Sequence, residues 1–285
     1  MKRVTKKTWM NTVLAVIFFL PLYWTVVTSL KDKTEIYGTP PTLIPKHPTL
    51  ANYIKIFTLD DGLYRGYLLN SFVITAITIL LVVFVSVLAG YGFSKLQLKG
   101  KGLFMACILA AIMIPFQALL NPLYSIMSKL HLLNTIPSMV LIYATFQSPF
   151  CIYMMKNAFD MVPDSLLESA KLDGAGAFSV FSNICLPLTW SSVATIAVYA
   201  AYTTWNDYLI ALVFANSNSI KTFNVGLTNL AIGQYGTDWG LLTSSSIIGL
   251  MPILILFVFL QKYFIKGMLS GALKQKAPWR NYYEQ

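Results

Sequence analysis

Long apolar runs alternate with short charged segments along this chain. Each run approaches or exceeds the ~20 residues that a helix needs to cross roughly 30 Å of hydrocarbon. The runs are continuously apolar and do not alternate, so they predict spanning helices and not the strands of a barrel. We therefore expect an all-α polytopic membrane protein that forms one transmembrane domain. Its six transmembrane helices are expected at about residues 9–30, 67–94, 103–127, 132–155, 188–214 and 239–261.

Composition and charge support this class and indicate an orientation. Only 11% of the residues are charged, against roughly 25% in soluble domains. The net charge of +10 does not indicate nucleic-acid binding, because the basic residues lie at the ends of the apolar runs. If the N-terminus is cytoplasmic, 14 of the 21 Lys and Arg residues fall inside and 7 outside. The positive-inside rule then predicts that both termini are cytoplasmic.

The segment from Pro163 to Pro187, here called the coupling stretch, separates two apolar runs and carries several charges. Its apolar residues recur three and four positions apart, which is typical of short amphipathic helices. Gly174 and Gly176 interrupt this pattern and permit a tight turn. Pro187 stands where the next membrane helix is expected to begin. The stretch is therefore predicted to be a cytoplasmic helix–turn–helix.

Short motifs in the coupling stretch resemble the EAA loop of bacterial ABC-importer permeases. They are Glu168-Ser169-Ala170, Asp173-Gly174-Ala175 and Leu186-Pro187. The sequence DGA followed by LPL is most similar to the second, maltose-type permease subunit of the carbohydrate branch. PPTLIPKHPTLANY, WNDYLIALVF and QKYFIKGMLSGALK are also similar to segments of that family, so the resemblance covers nearly the whole chain. The chain departs from the pattern at Ser169, where alanine is usual, and at Ser191, where proline is common.

The resemblance implies a permease subunit of an ATP-driven, binding-protein-dependent importer of sugars or oligosaccharides in the bacterial plasma (inner) membrane. It implies a second permease subunit in a heterodimer, two ATP-binding subunits that hold ATP and Mg, and an extracytoplasmic sugar-binding protein. The chain itself would contact membrane lipid and would bind no cofactor, metal or nucleic acid. The residues that would transmit ATPase closure are Glu168, Ser169, Ala170, Asp173, Gly174, Ala175, Leu186 and Pro187.

Catalytic and nucleotide-binding motifs are missing from the sequence, so we expect the chain not to be an enzyme. Its one Gly-Lys pair is Gly100-Lys101, and Lys95 stands where a phosphate-binding loop needs its first glycine. The three cysteines and two histidines show no metal-ligand spacing. If transport is driven by ATP, partner subunits must hydrolyse it.

A polar and aromatic stripe on the fifth span is a candidate substrate path. Hydroxyl, amide and aromatic groups suit a sugar, but the same residues are ordinary helix-packing groups. A single acidic residue, Asp207, lies in the same span; it is either a path residue, a buried structural anchor or a group near the outer interface. The candidate path residues are Tyr199, Tyr202, Thr203, Asn206 and Asp207, following Ser192 and Thr195 on the same span.

Two other functional classes compete with the importer. An ion- or proton-coupled secondary transporter of small solutes usually needs several ionisable groups inside the membrane, and Asp207 alone would be a short relay. A membrane-embedded enzyme would need clustered His, Asp, Glu or Ser in its spans, and the sequence has none.

Overall fold

A computed structural model describes the backbone of residues 2–232 and 236–273 and the side chains of residues 8–232 and 236–259. Within these residues the chain is helical, with no strand. The helices are α1 (Lys2–Ser29), α2 (Lys33–Ile36), α3 (Ala51–Thr58), α4 (Leu63–Lys95), α5 (Lys101–Ile112), α6 (Phe116–Lys129), α7 (Ile136–Asp160), α8 (Asp164–Leu172), α9 (Ala177–Val180), α10 (Leu186–Leu188), α11 (Trp190–Trp205), α12 (Leu209–Phe214), α13 (Phe223–Ala231) and α14 (Trp239–Leu273).

The predicted all-α membrane class is confirmed by the lengths and composition of these helices. Four continuous segments are long and apolar enough to cross a membrane: Thr8–Ser29, Ala51–Lys95, Ile136–Asp160 and Trp239–Phe259. Two bent helix pairs bring the number to six if each pair counts as one span. The six membrane crossings, the single domain and the cytoplasmic termini stay predictions. Lys274, Lys276 and Arg280, which contribute to the charge asymmetry, lie outside the described residues.

The third predicted span, residues 103–127, is not one helix. α5 ends at Ile112, α6 begins at Phe116, and the two helices are bent by 100°. Pro115 precedes α6 in an extended conformation. A proline removes a backbone donor and disfavours helical geometry in the residue before it, which explains the break at this point.

The fifth predicted span, residues 188–214, is also divided. α11 ends at Trp205 and α12 begins at Leu209. The Asp207 carboxylate lies in the gap and accepts hydrogen bonds from the amides of Ile210 (2.9 Å) and Ala211 (3.2 Å). A carboxylate that satisfies the free amides of a helix start favours a new helix over continuation of the old one.

Backbone contacts divide the chain into two compact units. The first comprises Met1–Asn70 and Ser217–Pro252, and the second comprises Ser71–Asn216 and Ile253–Gln285. In the first unit, the side chains of Ile56, Tyr64, Tyr67 and Phe223 form a buried cluster.

A charged contact holds α2 and α3 of the first unit to the start of α14. The Asp238 carboxylate lies 3.0 Å from the Lys33 ammonium and 3.6 Å from that of Lys55, and it accepts a hydrogen bond from the Leu241 amide. Partial burial acts to raise the pKa of Asp238, but the Lys33 hydrogen bond, the Leu241 amide and the two positive charges outweigh it. The pKa of Asp238 therefore lies below its ordinary value, and the carboxylate stays ionised.

The second unit is built around α7. Its buried cluster includes Met155 and Phe159 on α7, Val82 on α4 and Ile196 on α11, all without measurable exposure. Gly90 on α4 lies very close to α7. A Cβ atom added at Gly90 would be 2.6 Å from Met155 Cβ and 2.9 Å from the backbone nitrogen of Lys156. Small residues allow such close backbone approach between membrane helices.

This close approach predicts that Gly90→Ala weakens the second unit. The added methyl group meets backbone atoms that cannot move aside, so we expect a loss on the order of 1–3 kcal/mol, as for overpacked cores. Thermal unfolding of the purified transporter measures it, and Gly66→Ala, on the same helix with open space around it, is the matched control. Equal melting temperatures for the two variants would contradict the close contact.

Candidate functional site

The coupling stretch begins with α8, which follows the extended residue Pro163. Asp164 lies in its first turn and Lys171 in its last, which is the charge order that a helix dipole favours. Leu167 is buried in the second unit's core, whereas Glu168 is exposed. The predicted first helix is therefore present, with one face in the core and one face outside.

The turn after α8 is a Schellman motif. Gly174 has φ +83°, its amide donates to the Lys171 carbonyl at 3.1 Å, and the Ala175 amide donates to the Ala170 carbonyl at 2.9 Å. This is the pairing that closes a helix with a left-handed residue, where glycine carries no Cβ penalty. The predicted tight turn is thus formed by Gly174, while Gly176 has an ordinary extended conformation.

The second half of the coupling stretch is less regular than the sequence suggests. α9 covers one turn, a π-helical turn follows at Phe181–Cys185, and α10 contains Pro187. The membrane helix does not begin at Pro187, because α11 starts at Trp190 after a bend of 73°. A proline lacks the amide that would close an α-helical turn, and a π turn is one way in which a helix accommodates an interrupted bonding pattern.

A buried lysine attaches the coupling stretch to the end of α4. The Lys95 ammonium donates to the Val162 carbonyl at 2.7 Å and to the Asp164 carboxylate at 2.6 Å. The Lys95 side chain is 6% exposed, whereas that of Asp164 is 77% exposed. The sequence alone does not predict this role, because it shows Lys95 only as a basic residue that follows an apolar run. No local pattern links it to a carboxylate 69 positions away.

The two faces of the coupling stretch differ in their environment. Val180 and Cys185 are buried in the core, and the Phe181 ring packs edge-on against Tyr91 with centroids 4.9 Å apart. Leu172 and Phe178 are instead 89% and 79% exposed. Large apolar side chains that are exposed on a segment whose other face is well packed are typical of an interaction site.

The predicted coupling residues lie on both faces of this stretch. Glu168, Ser169, Asp173, Gly174 and Pro187 are exposed, and Ala170, Ala175 and Leu186 are half-buried. Glu168 makes no side-chain hydrogen bond or ion pair with the residues that the structure describes. The Glu168 carboxylate thus makes no polar contact within the helix–turn–helix and is free to meet a partner.

The predicted path residues do not form one uniform surface. Tyr202 and Asn206 are exposed, and the Asn206 amide donates to the Tyr202 carbonyl. Tyr199 is half-buried, with its ring centroid 4.7 Å from that of Phe150, and the Thr203 hydroxyl donates to the Tyr199 carbonyl. Only the end of the stripe near the break in the helix is open on this chain.

Asp207 is held by protein groups on several sides. One carboxylate oxygen accepts the Tyr143 hydroxyl at 2.8 Å as well as the two amides that begin α12. One turn along α7 from Tyr143, the Gln147 amide donates to the Thr204 hydroxyl at 2.9 Å. These contacts join α7 to both helices around the break, and they favour the structural-anchor interpretation of Asp207. The two α7 residues were not found from the sequence, since neither carries a charge or a motif.

Comparison with known proteins defines the class to which this chain belongs. Residues 83–270 match the family described as "Binding-protein-dependent transport system inner membrane component". That range covers most of the chain and contains the whole coupling stretch. The chain belongs to this family and is therefore a multi-pass inner-membrane permease component. The match also decides against the ion- or proton-coupled alternative.

Individual relatives agree over most of the chain. The chain is 36% identical to the "Probable ABC transporter permease protein YurM" of Bacillus subtilis, covering 89% of this chain and 83% of that protein. It is 33% identical to the "Arabinooligosaccharides transport system permease protein AraQ" of Halalkalibacterium halodurans, covering 96% and 100%. Its fold is similar to a chain of a bacterial ABC transporter "involved in the import of the acidic polysaccharide alginate", with TM-score 0.81, 20% identity and coverage of 91% and 95%.

The contacts of Asp207 predict different outcomes for two substitutions. Asp207→Ala removes the cap of α12 and leaves the buried Tyr143 hydroxyl without its acceptor, which we expect to cost about 1–3 kcal/mol. Asp207→Asn keeps an oxygen acceptor and a good capping residue. It should retain transport within about twofold, since asparagine caps nearly as well as aspartate. Thermal unfolding and uptake in reconstituted vesicles measure both effects. Loss of uptake in a stably folded Asp207→Asn would instead make the carboxylate a path residue.

Proposed function

We propose that this chain is one of two membrane subunits of an ATP-driven importer of sugars or oligosaccharides. A second permease subunit would complete the path, an extracytoplasmic binding protein would deliver the sugar, and two partner subunits would bind ATP and Mg and hydrolyse the ATP. The sugar class rests on the resemblance and on relatives such as the arabinooligosaccharide permease. The coupling role rests on one observation, the stretch whose inner face is packed and whose outer face exposes Leu172 and Phe178.

In this proposal the coupling stretch acts as a lever. The ATP-binding subunits would grip the exposed face formed by Leu172 and Phe178, with Glu168 and Asp173 as polar contacts on the same stretch. Closure of those subunits would move α8, and the Lys95 contacts would carry that movement to α4. The Schellman turn at Gly174 would keep the two halves of the lever at a fixed angle.

The proposed sugar path uses the open end of the stripe on α11. The Tyr202 ring and the Asn206 amide are exposed there, and such groups stack on sugar C–H faces and bond sugar hydroxyls. Tyr199 lies one turn before Tyr202, and Thr203 lies one turn before Asn206. Both side chains would support this surface. Asp207 would keep the break between α11 and α12 in place.

The proposed topology predicts which residues an impermeant thiol reagent reaches in intact cells. With Cys107, the exposed native cysteine, replaced by serine, Ser165→Cys on α8 should stay unlabelled and His47→Cys should react. Both positions are exposed, so a difference between them reports the side of the membrane. After permeabilisation both should react, which controls for accessibility. Labelling at 165 but not at 47 in intact cells would invert the topology.

If the ATP-binding subunits dock on the exposed face of the coupling stretch, the Phe178→Asp variant should bind them more weakly. A carboxylate in place of an exposed ring leaves this chain's own core intact but removes the apolar contact that the proposal assigns to the partner. We expect ATPase pull-down to fall about tenfold or more, as for an interface anchor of ~1.4 kcal/mol or more. Binding-protein-stimulated ATP hydrolysis should fall with it.

Three further variants make this test specific. Gly174→Asp forces a side chain into a left-handed position, at a cost of about 1–2 kcal/mol, and should uncouple hydrolysis from transport. Gly176→Asp introduces the same charge nearby without that strain. Leu130→Asp, an exposed leucine outside the coupling stretch, should leave docking unchanged. Normal docking and stimulation in both Phe178→Asp and Gly174→Asp would refute the proposed coupling role.

A further inference from the structure

A cavity of about 350 Å³ lies in the second unit, apart from the coupling surface and the proposed sugar path. It opens between the end of α4, the first turns of α5 and the end of α7. Its lining residues are Phe93, Lys101, Gly102, Met105, Ala106, Leu109, Lys156 and Asp160.

The position of this cavity along the helices corresponds to the membrane interface. The charge-free run of α4 ends at Lys95, that of α5 begins after Lys101, and that of α7 ends at Lys156. Three apolar runs thus end or begin at the cavity. Its mouth is therefore expected at the depth of lipid headgroups and its interior at the depth of the first acyl carbons.

The lining has two chemically different parts. Phe93, Met105, Ala106 and Leu109 form an apolar wall, and lysines form the rim. The Lys156 ammonium is neutralised by Asp160 at 2.6 Å.

Lys101 at the rim has no such counter-charge. Neither Lys101 nor the nearby Lys99 has an ion pair among the residues that the structure describes. The rim thus carries uncompensated positive charge directly beside an apolar wall. Gly102 adds no side chain, and no atom lies within 4 Å of where its Cβ would be, so the approach to Lys101 is open.

We propose that this cavity binds one anionic phospholipid. The headgroup phosphate lies at Lys101, and the start of an acyl chain lies along the wall formed by Met105, Ala106 and Leu109. Charge complementarity selects an anionic over a zwitterionic lipid, because each lysine near the surface favours negative headgroups. A basic pocket between membrane helices is a known form of headgroup site. The proposal needs only the membrane location of the chain and holds whatever solute is transported.

Native mass spectrometry of the assembled, delipidated transporter tests the proposal. The probes are phosphatidylglycerol and phosphatidylethanolamine with identical acyl chains. We expect one phosphatidylglycerol per copy of this chain to bind on the order of tenfold more tightly than phosphatidylethanolamine, as the charge selectivity of basic pockets implies.

Variants assign that binding event to the cavity. Lys101→Glu reverses the rim charge and Ala106→Trp fills the apolar part, so each should remove the selective phosphatidylglycerol adduct. Lys129→Glu makes the same charge change at the end of α6, and Ala111→Trp makes the same size change on α5 outside the lining; both should keep the adduct. Equal binding of the two lipids, or a selective adduct that survives both cavity variants, would overturn the proposal.

Discussion

The buried ammonium of Lys95 is the contact on which the coupling stretch depends. A lysine whose side chain is 6% exposed is stable only where the donors of its ammonium are satisfied, because a buried charge without a partner is costly. The Val162 carbonyl and the Asp164 carboxylate supply those acceptors. These two contacts link the end of α4 to the start of α8, and in the proposed lever they would pass a displacement of α8 to α4.

A motion passed to α4 in this way would reach a packed body and not a single helix. Gly90 brings the backbone of α4 against that of α7, and the buried side chains of α7, α8 and α11 form one cluster. Dense cores change arrangement as units and do not deform continuously. The Asp207 carboxylate extends this body across a break, because it joins Tyr143 of α7 to the start of α12. The second unit therefore has a fixed joint at the break between α11 and α12.

The sequence predicts the features that depend on local pattern and misses those that depend on distant partners. Run lengths identify the long apolar helices, and the glycine after an amphipathic run identifies the Schellman turn. Pro115 precedes the break before α6, while Pro122 and Pro149 lie inside continuous helices, so the position of a proline in the sequence does not by itself locate a break. The end of α11 is likewise set by an aspartate and a tyrosine 64 positions apart, which no window of sequence contains.

Two charged groups, Lys95 and Asp207, make structural contacts, although the sequence offered Asp207 as a candidate path residue. Lys95 fixes the end of α4 and Asp207 fixes the start of α12, and both are held by protein acceptors or donors. Within the coupling stretch, the surface around Leu172 and Phe178 stays exposed and available for a partner. Both charged groups are bound by groups of the protein itself, and the coupling stretch exposes apolar side chains on a packed segment. Such a chain is suited to being moved by another protein. Energy from ATP would therefore enter through the coupling stretch and not through titration within the spans.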